Sequence, residues 1–398
     1  HDRVHQAAYA LINSSRKQTV HLSVGRLIQS HSSDLERSER LIEIVEHVNE
    51  GRELIDDVSE LRQLARLNLE AGIKAQQSSV YRAALGFFQI GQELLTDDAW
   101  ENDYELMLAL GREIQQCTYL TGEHEEADRW TENLLLHARS LLLKAEILST
   151  RTRQYATTGR MRESIQAAFA GLALLGIDMT DSPADADIVE AAAEVRKNLG
   201  GRNIPDLIDA PDLTNPEVKV AIHLLMEIFP AAFLSGSGNL FPYLVLNSVN
   251  LSLRHGNSPE SAFAYAAYGM LLCGVLDDPA LGYEYCKLGV AMNERFNDVE
   301  LKSRIIYVYT MFIHHWNNHW SSMTPWFLKG IEAGYQSGDM LYLAYSAQDC
   351  IIWDPKLDLE TATREQRKYL TIVKDCEYKD SLDSGTLFLQ MQLNYQGL

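Results

Sequence analysis

The first 182 residues of this 398-residue chain contain no proline, and all ten prolines fall between Pro183 and Pro355. Proline kinks or ends helices, so its absence leaves the first half free to form long helices joined by short Gly, Ser and Asn turns. Cysteine is scarce: Cys117, Cys273, Cys286, Cys350 and Cys376 are odd in number and contain no CxxC pair. That excludes a regular disulfide framework and predicts free thiols in a reducing, cytoplasmic setting. No stretch reaches the ~18 uninterrupted apolar residues of a membrane-crossing helix. Basic residues are outnumbered 35 to 55, for a net charge of −20. A polyanion is repelled at long range, so nucleic acid and anionic membrane are excluded as partners, and a protein surface fits better. The opening His1-Asp2-Arg3-Val4 has neither initiator Met nor signal peptide, and the chain reads as a piece of something larger.

Catalytic signatures are missing too. The chain has no Gly-x-x-x-x-Gly-Lys-[Ser/Thr] loop and no strand-linked GxGxxG. HExxH, GxSxG and kinase catalytic-loop motifs are also absent. Each of these chemistries needs its residues at fixed spacing. The chain is therefore expected to be non-catalytic and to hold no cofactor of its own.

What is present is a recurring pair of small residues between amphipathic helices. Gly72, Ala84, Phe88 and Gly91 follow one another in Ala65–Asp98, and Gly122 with Ala127, then Gly159 with Ser164, repeat the theme 37 residues apart. The tetratricopeptide period is about 34 residues, and small side chains let its helix hairpins close. Such a unit buries its apolar face only by stacking on neighbours. With 46% hydrophobic and 23% charged residues, the chain has the composition of a folded protein. The expected fold is all-α, a tetratricopeptide-like α-solenoid of stacked antiparallel helix pairs. Repeats are expected over 51–180, an irregular helical connector over 181–260, and a second array over 261–398.

Local signals fix several helix starts. Ser33 with Glu36 forms a capping-box pattern. Ser182-Pro183, Asn215-Pro216, Ser258-Pro259 and Asp278-Pro279 pair a cap residue with proline at the first helical position. A helix over 184–199 should end at Gly200-Gly201, and Pro230 should kink another. No run alternates Val, Ile and Thr at period two, so no strands are expected.

Three clusters are candidates for chemistry or recognition. His315 and His319 stand four apart in His314-His315-Trp316-Asn317-Asn318-His319-Trp320, and on a continuous helix both rings would face one metal. No carboxylate or third ligand accompanies them, and an aromatic packing cluster with Trp316 and Trp320 is the simpler role. Asp97-Asp98-Ala99-Trp100-Glu101 mimics the DDxx(D/E) magnesium motif of all-α prenyl and terpene enzymes. At an inter-repeat junction the same acids favour a helix start. Phe263, Tyr265, Tyr268, Tyr283 and Tyr285 either line a recognition groove or form the inter-repeat core. Tyr265, Tyr268, Trp316 and Trp320 are the partner-binding candidates.

The stretch His1-Asp2-Arg3-Val4-His5-Gln6-Ala7-Ala8-Tyr9 resembles the HDRVQQAAY stretch of large multi-domain signalling kinases. Those proteins join a serine/threonine kinase-like domain, a STAND-type AAA ATPase, a helical repeat region, and GAF and histidine-kinase modules. Leu67-Asn68-Leu69-Glu70-Ala71-Gly72-Ile73-Lys74-Ala75, Val249-Asn250-Leu251-Ser252-Leu253, Arg254-His255-Gly256-Asn257-Ser258-Pro259 and Ala264-Tyr265-Ala266-Ala267-Tyr268-Gly269 extend the likeness. Arg295-Phe296-Asn297 and Ser337-Gly338-Asp339 carry it to nearly the whole chain. The resemblance implies that 1–50 is the helical tail of the ATPase's winged-helix segment and that the rest is the repeat region. It also implies that His1 matches a histidine that senses bound nucleotide in an intact parent chain. The function expected on this basis is a protein-interaction and sensor scaffold that regulates the attached domains. A free-standing peptide-binding adaptor and an all-α metal-dependent enzyme are the alternatives.

Overall fold

The computed structural model describes residues 13–398 apart from Ser79, Asp97, Ser235, Ser237 and Trp353. His1 and the string that follows it lie outside the described residues, as does Asp97. The fold is all-α, with helix pairs stacked in the α-solenoid manner. Among the described residues there is no strand, only an isolated parallel bridge between Asp212 and Asn257. The chain divides into two compact units, one ending at Ile147 and the other spanning Leu148–Leu398.

The first unit contains α1 (Ser14–His31), α2 (Asp34–Glu39), α3 (Leu41–Glu50), α4 (Val58–Gln77), α5 (Tyr81–Glu93), α6 (Ala99–Asn102), α7 (Tyr104–Leu120) and α8 (His124–His137). Ser33 and Glu36 close the expected capping box at α2, the Glu36 carboxylate accepting the Ser33 N–H at 2.8 Å. Helix α4 packs on α5, α5 on α7, and α7 on α8. A Cβ on Gly72 would run into the Phe88 ring, so this glycine does let α4 and α5 close. Gly122 and Gly159 have a different task. They adopt φ of +86° and +75° with open space around them, making the turns that follow Leu120 and Thr157 rather than spacing helices. Their partners Ala127 and Ser164 do sit at packing positions, 2% and 0% exposed.

Helix α9 (Leu141–Thr157) carries the boundary between units. The second unit continues with α10 (Met161–Leu174), α11 (Asp185–Leu199), α12 (Pro216–Glu227), α13 (Phe229–Leu234), α14 (Leu240–His255), α15 (Pro259–Gly274) and α16 (Pro279–Phe296). It ends with α17 (Lys302–Val308), a π-helical turn (Tyr309–His314), α18 (His315–Asn317), α19 (Thr324–Ser337), α20 (Met340–Asp349), α21 (Leu359–Asp375) and α22 (Lys379–Tyr395). Asn215 and Asp278 cap α12 and α16 as expected, accepting the Val218 and Leu281 N–H groups at 3.0 and 3.1 Å. The helix after Ser182-Pro183 starts two residues late, at Asp185. There Ala184 is the N-cap and has no side-chain cap, and the Asp187 carboxylate reaches back to accept the Ala184 N–H at 2.7 Å.

The region 181–260, expected to be an irregular helical connector, contributes α11 to α14 and part of the core. Leu224, Leu225, Leu244, Val245 and Val249 from it are fully buried in one continuous core with Tyr265 and Phe327. Among the described residues the longest non-helical run within it joins α11 to α12, interrupted by a 3-10 turn over Pro205–Asp209. Helices α15 and α16 pack backbone to backbone: a Cβ on either Gly269 or Gly282 would stand 2.6 Å from the other's carbonyl oxygen.

Candidate functional site

The second unit carries a half-open cavity of about 250 Å³. Short helical spacings build its walls. Phe229 and Phe233 stand four apart on α13, and Phe263, Ala267 and Met270 follow one face of α15. Tyr342 and Tyr345 come from α20, and Ser381 and Ser384 from α22. Tyr307 and Val308 end α17, and the π-helical turn that follows brings Phe312 to the same wall. The rings interlock edge to face: Phe233 to Phe312 at 6.0 Å, Tyr307 to Phe312 at 6.2 Å and Tyr307 to Tyr342 at 5.8 Å. Such geometry suits the ring quadrupoles and fixes the wall. Phe233 and Leu234 are 49% and 56% exposed and mark the way in.

Polar groups are few and placed individually. Tyr307 donates its hydroxyl to Asp349 Oδ2 at 2.9 Å, and Gln348 Nε2 donates to Oδ1 at 3.1 Å. Burial pushes the Asp349 carboxyl up to about 6 despite those two hydrogen bonds. Burial also pushes the Tyr345 phenol up to about 12, with Asp380, Asp339 and Asp349 adding to the effect. Ser381 Oγ is buried and has no hydrogen-bond partner.

A second polar feature crosses the same unit. Glu227 on α12 is 5% exposed. Its Oε1 lies 3.4 Å from Arg153 Nη2 on α9, 3.4 Å from Arg304 Nη1 on α17 and 3.7 Å from His223 Nε2. Arg304 Nε donates to Asp339 Oδ2 at 2.6 Å, and His223 Nδ1 stands 3.6 Å from Glu260 Oε1. Burial opposes ionisation of Glu227, but Arg304, Arg153 and His223 hold its carboxyl down at about 2. Burial disfavours the Arg304 charge as well, and Glu227 with Asp339 more than offset it. The cluster ties α9, α12, α15 and α17 to the cap of α20.

The residues singled out by their spacing fare unevenly against this geometry, and several expectations need correction. Tyr265 and Tyr268 are 1% and 6% exposed. Tyr265 donates its hydroxyl to Asn257 Oδ1 at 3.2 Å inside the core, so neither ring is available to a partner. His315 and His319 do not share a helix face: α18 ends at Asn317, and His319 instead caps the next turn, Nδ1 accepting the Ser321 N–H at 3.2 Å. Among the described residues no group of three His, Cys, Asp or Glu is placed to hold a metal. Trp316 and Trp320 are 47% and 42% exposed and flank the His315 ring at 5.5 and 5.1 Å, so they remain surface aromatics. Asp98 accepts from Thr96 and Asn102 as a turn cap, and Glu101 is exposed beside it. Of the aromatic stretch, Phe263 alone lines the cavity. The cavity itself was missed. Its signals were the Phe229–Phe233 and Tyr342–Tyr345 spacings, which lie far apart in the chain.

No protein-family profile matches the chain. Over 395 residues it is 24% identical to the hybrid signal transduction histidine kinase G of Dictyostelium discoideum, an alignment that covers 88% of this chain and 12% of that protein. The chain thus spans about an eighth of the relative's length. Among solved structures, a circular tandem repeat protein with novel repeat topology overlaps 98% of this chain and 87% of its own at 15% identity, with a TM-score of 0.18, too low to support an argument. No helix among the described residues is long and apolar enough to cross a membrane. All five cysteines are free and buried.

Proposed function

We propose that this chain is the non-catalytic interaction and sensor region of a multi-domain signal-transduction kinase, and that it regulates the domains joined to it. The observation that supports the reading is the lopsided similarity: 88% of this chain against 12% of a hybrid histidine kinase. In that relative the shared stretch is a small part of a far longer protein, which supports reading this chain as a module of the same kind. Stacked helices offer a large surface and, in the second unit, a cavity. A ligand bound there shifts a two-state equilibrium of the parent only by its difference in affinity for the two states. The STAND-type ATPase and the serine/threonine kinase-like domain belong to this proposal as neighbours in the parent chain.

The test uses the full-length protein that contains this chain. Deleting 148–398 is expected to change the rate of histidine autophosphorylation several-fold while leaving phosphorylation itself possible. An unchanged rate would overturn the sensor reading and favour a free-standing adaptor.

A further inference from the structure

We propose that the aromatic cavity of the second unit binds a small aromatic amine in its protonated form, one or two rings carrying an ammonium group. The inference deepens the sensor reading, and it rests on that reading only for what binding does to the attached domains.

Four observations converge on this ligand class. The first is size. At about 30 Å³ per water, a cavity of about 250 Å³ holds a ligand of one or two rings and not a helix or an extended peptide. The second is charge. Among the described residues that line it, Asp380 carries the one formal charge, and no Lys or Arg is present. Arg304, whose guanidinium lies 5.6 Å from the Tyr342 ring centre, is already committed to Glu227 and Asp339. The site therefore attracts a cation and repels a carboxylate.

The third observation concerns the walls. Tyr307, Tyr342 and Tyr345 pack ring to ring at 5.3 to 5.8 Å, and aromatic faces attract a desolvated ammonium. The fourth is an unfilled hydrogen-bonding position. Ser381 Oγ is buried in the lining without a partner, next in sequence to Asp380. A ligand N–H donating to Asp380 and Ser381 would satisfy both. The π-helical turn that carries Phe312 into the wall belongs to a class of distortion concentrated at functional sites.

Calorimetric titration of the purified chain with phenethylammonium, tryptamine, phenethyl alcohol and hydrocinnamate tests the proposal. The two amines are expected to bind at a single site, about tenfold or more tighter than the alcohol, as a desolvated cation over aromatic rings should. Hydrocinnamate is expected to give no heat. Asp380→Asn, at an exposed position, should remove the preference for amine over alcohol and leave the alcohol's affinity in place. Met270→Trp, which fills the cavity, should abolish binding of all four, with circular dichroism confirming an unchanged fold. Equal affinity for amine and alcohol in the wild type, amine affinity untouched by Asp380→Asn, or no binding of either amine at millimolar concentration would each overturn the assignment. The two readings fail separately. Amine binding without any change in autophosphorylation of the full-length protein would sink the sensor reading and keep the site. A deletion effect without amine binding would do the reverse.

Discussion

Single residues in this chain carry effects of opposite sign that the surroundings decide. Gly86 lies within α5 with no atom near the position of a Cβ. Gly86→Ala is expected to stabilise by about 1 kcal/mol through helix propensity and a less flexible unfolded chain. Gly269→Ala makes the same chemical change where the new methyl meets the Gly282 carbonyl oxygen at 2.6 Å. Overpacking there should cost about 1–3 kcal/mol, and urea unfolding of both variants checks the contrast in sign. Asp349 gives a pH signature. Its carboxyl is raised from 3.8 to about 6, so between those values the folded state holds a proton that the unfolded state has lost. Stability therefore falls as pH rises through this window, by about 2–3 kcal/mol at roughly 1.4 kcal/mol per unit. Asp349→Asn keeps an acceptor for the Tyr307 hydroxyl and should flatten that slope. Melting temperatures of wild type and variant between pH 4 and 7, about the range of the shift, provide the measurement; a slope retained in the variant would assign it elsewhere.

At the level of helices, what was legible in the sequence was whatever a few neighbouring residues decide. The capping box at Ser33, the caps at Asn215 and Asp278, and the contact of Gly72 with Phe88 all follow from local geometry. The start of α11 did not: Ser182 bonds to Asp181 instead, and the helix begins at Asp185 with Asp187 bonded back to the Ala184 N–H. The break between His315 and His319 did not either: the backbone turns extended at Asn318, and nothing in the apolar spacing announces it. The charge cluster was the least legible, since Arg153, Glu227 and Arg304 meet only once α9, α12 and α17 are packed. Its energetic weight follows from burial. Glu227→Ala removes one of the two counter-charges of the 15%-exposed Arg304 side chain, which keeps Asp339 at 2.6 Å, and should cost about 1.5–3 kcal/mol as a lost charged hydrogen bond. Arg153→Ala removes a side chain that is 47% exposed and should cost about 1 kcal/mol or less. The Glu227 contribution is present above its unfolded-state value of 4.5 and is lost as pH falls toward about 2. Equal penalties for the two variants in denaturant titration would contradict this hierarchy.

Taken as a whole molecule, the two units are built to different standards. The second gathers its buried residues into one continuous core running from Ala168 to Cys376. Among its described residues the first distributes its own over separate clusters around Phe88, Ile44 and Leu134. In stacked-helix architectures stability is a sum of each element's own terms and its contacts with neighbours, so separate small clusters open separately. Local opening spans free energies from near zero up to the global value, and the lowest belong to regions with few shared apolar contacts. Amides of α4, α5, α7 and α8 are therefore expected to exchange with solvent at a lower opening free energy than those of α12, α14, α15 and α16. The Gly269–Gly282 seam should be among the last protected segments to open. Native-state hydrogen exchange read by mass spectrometry resolves these helices individually. If the first unit exchanges only with global unfolding, its clusters act as one core, and the division of labour between a yielding first unit and a rigid, cavity-bearing second unit is wrong.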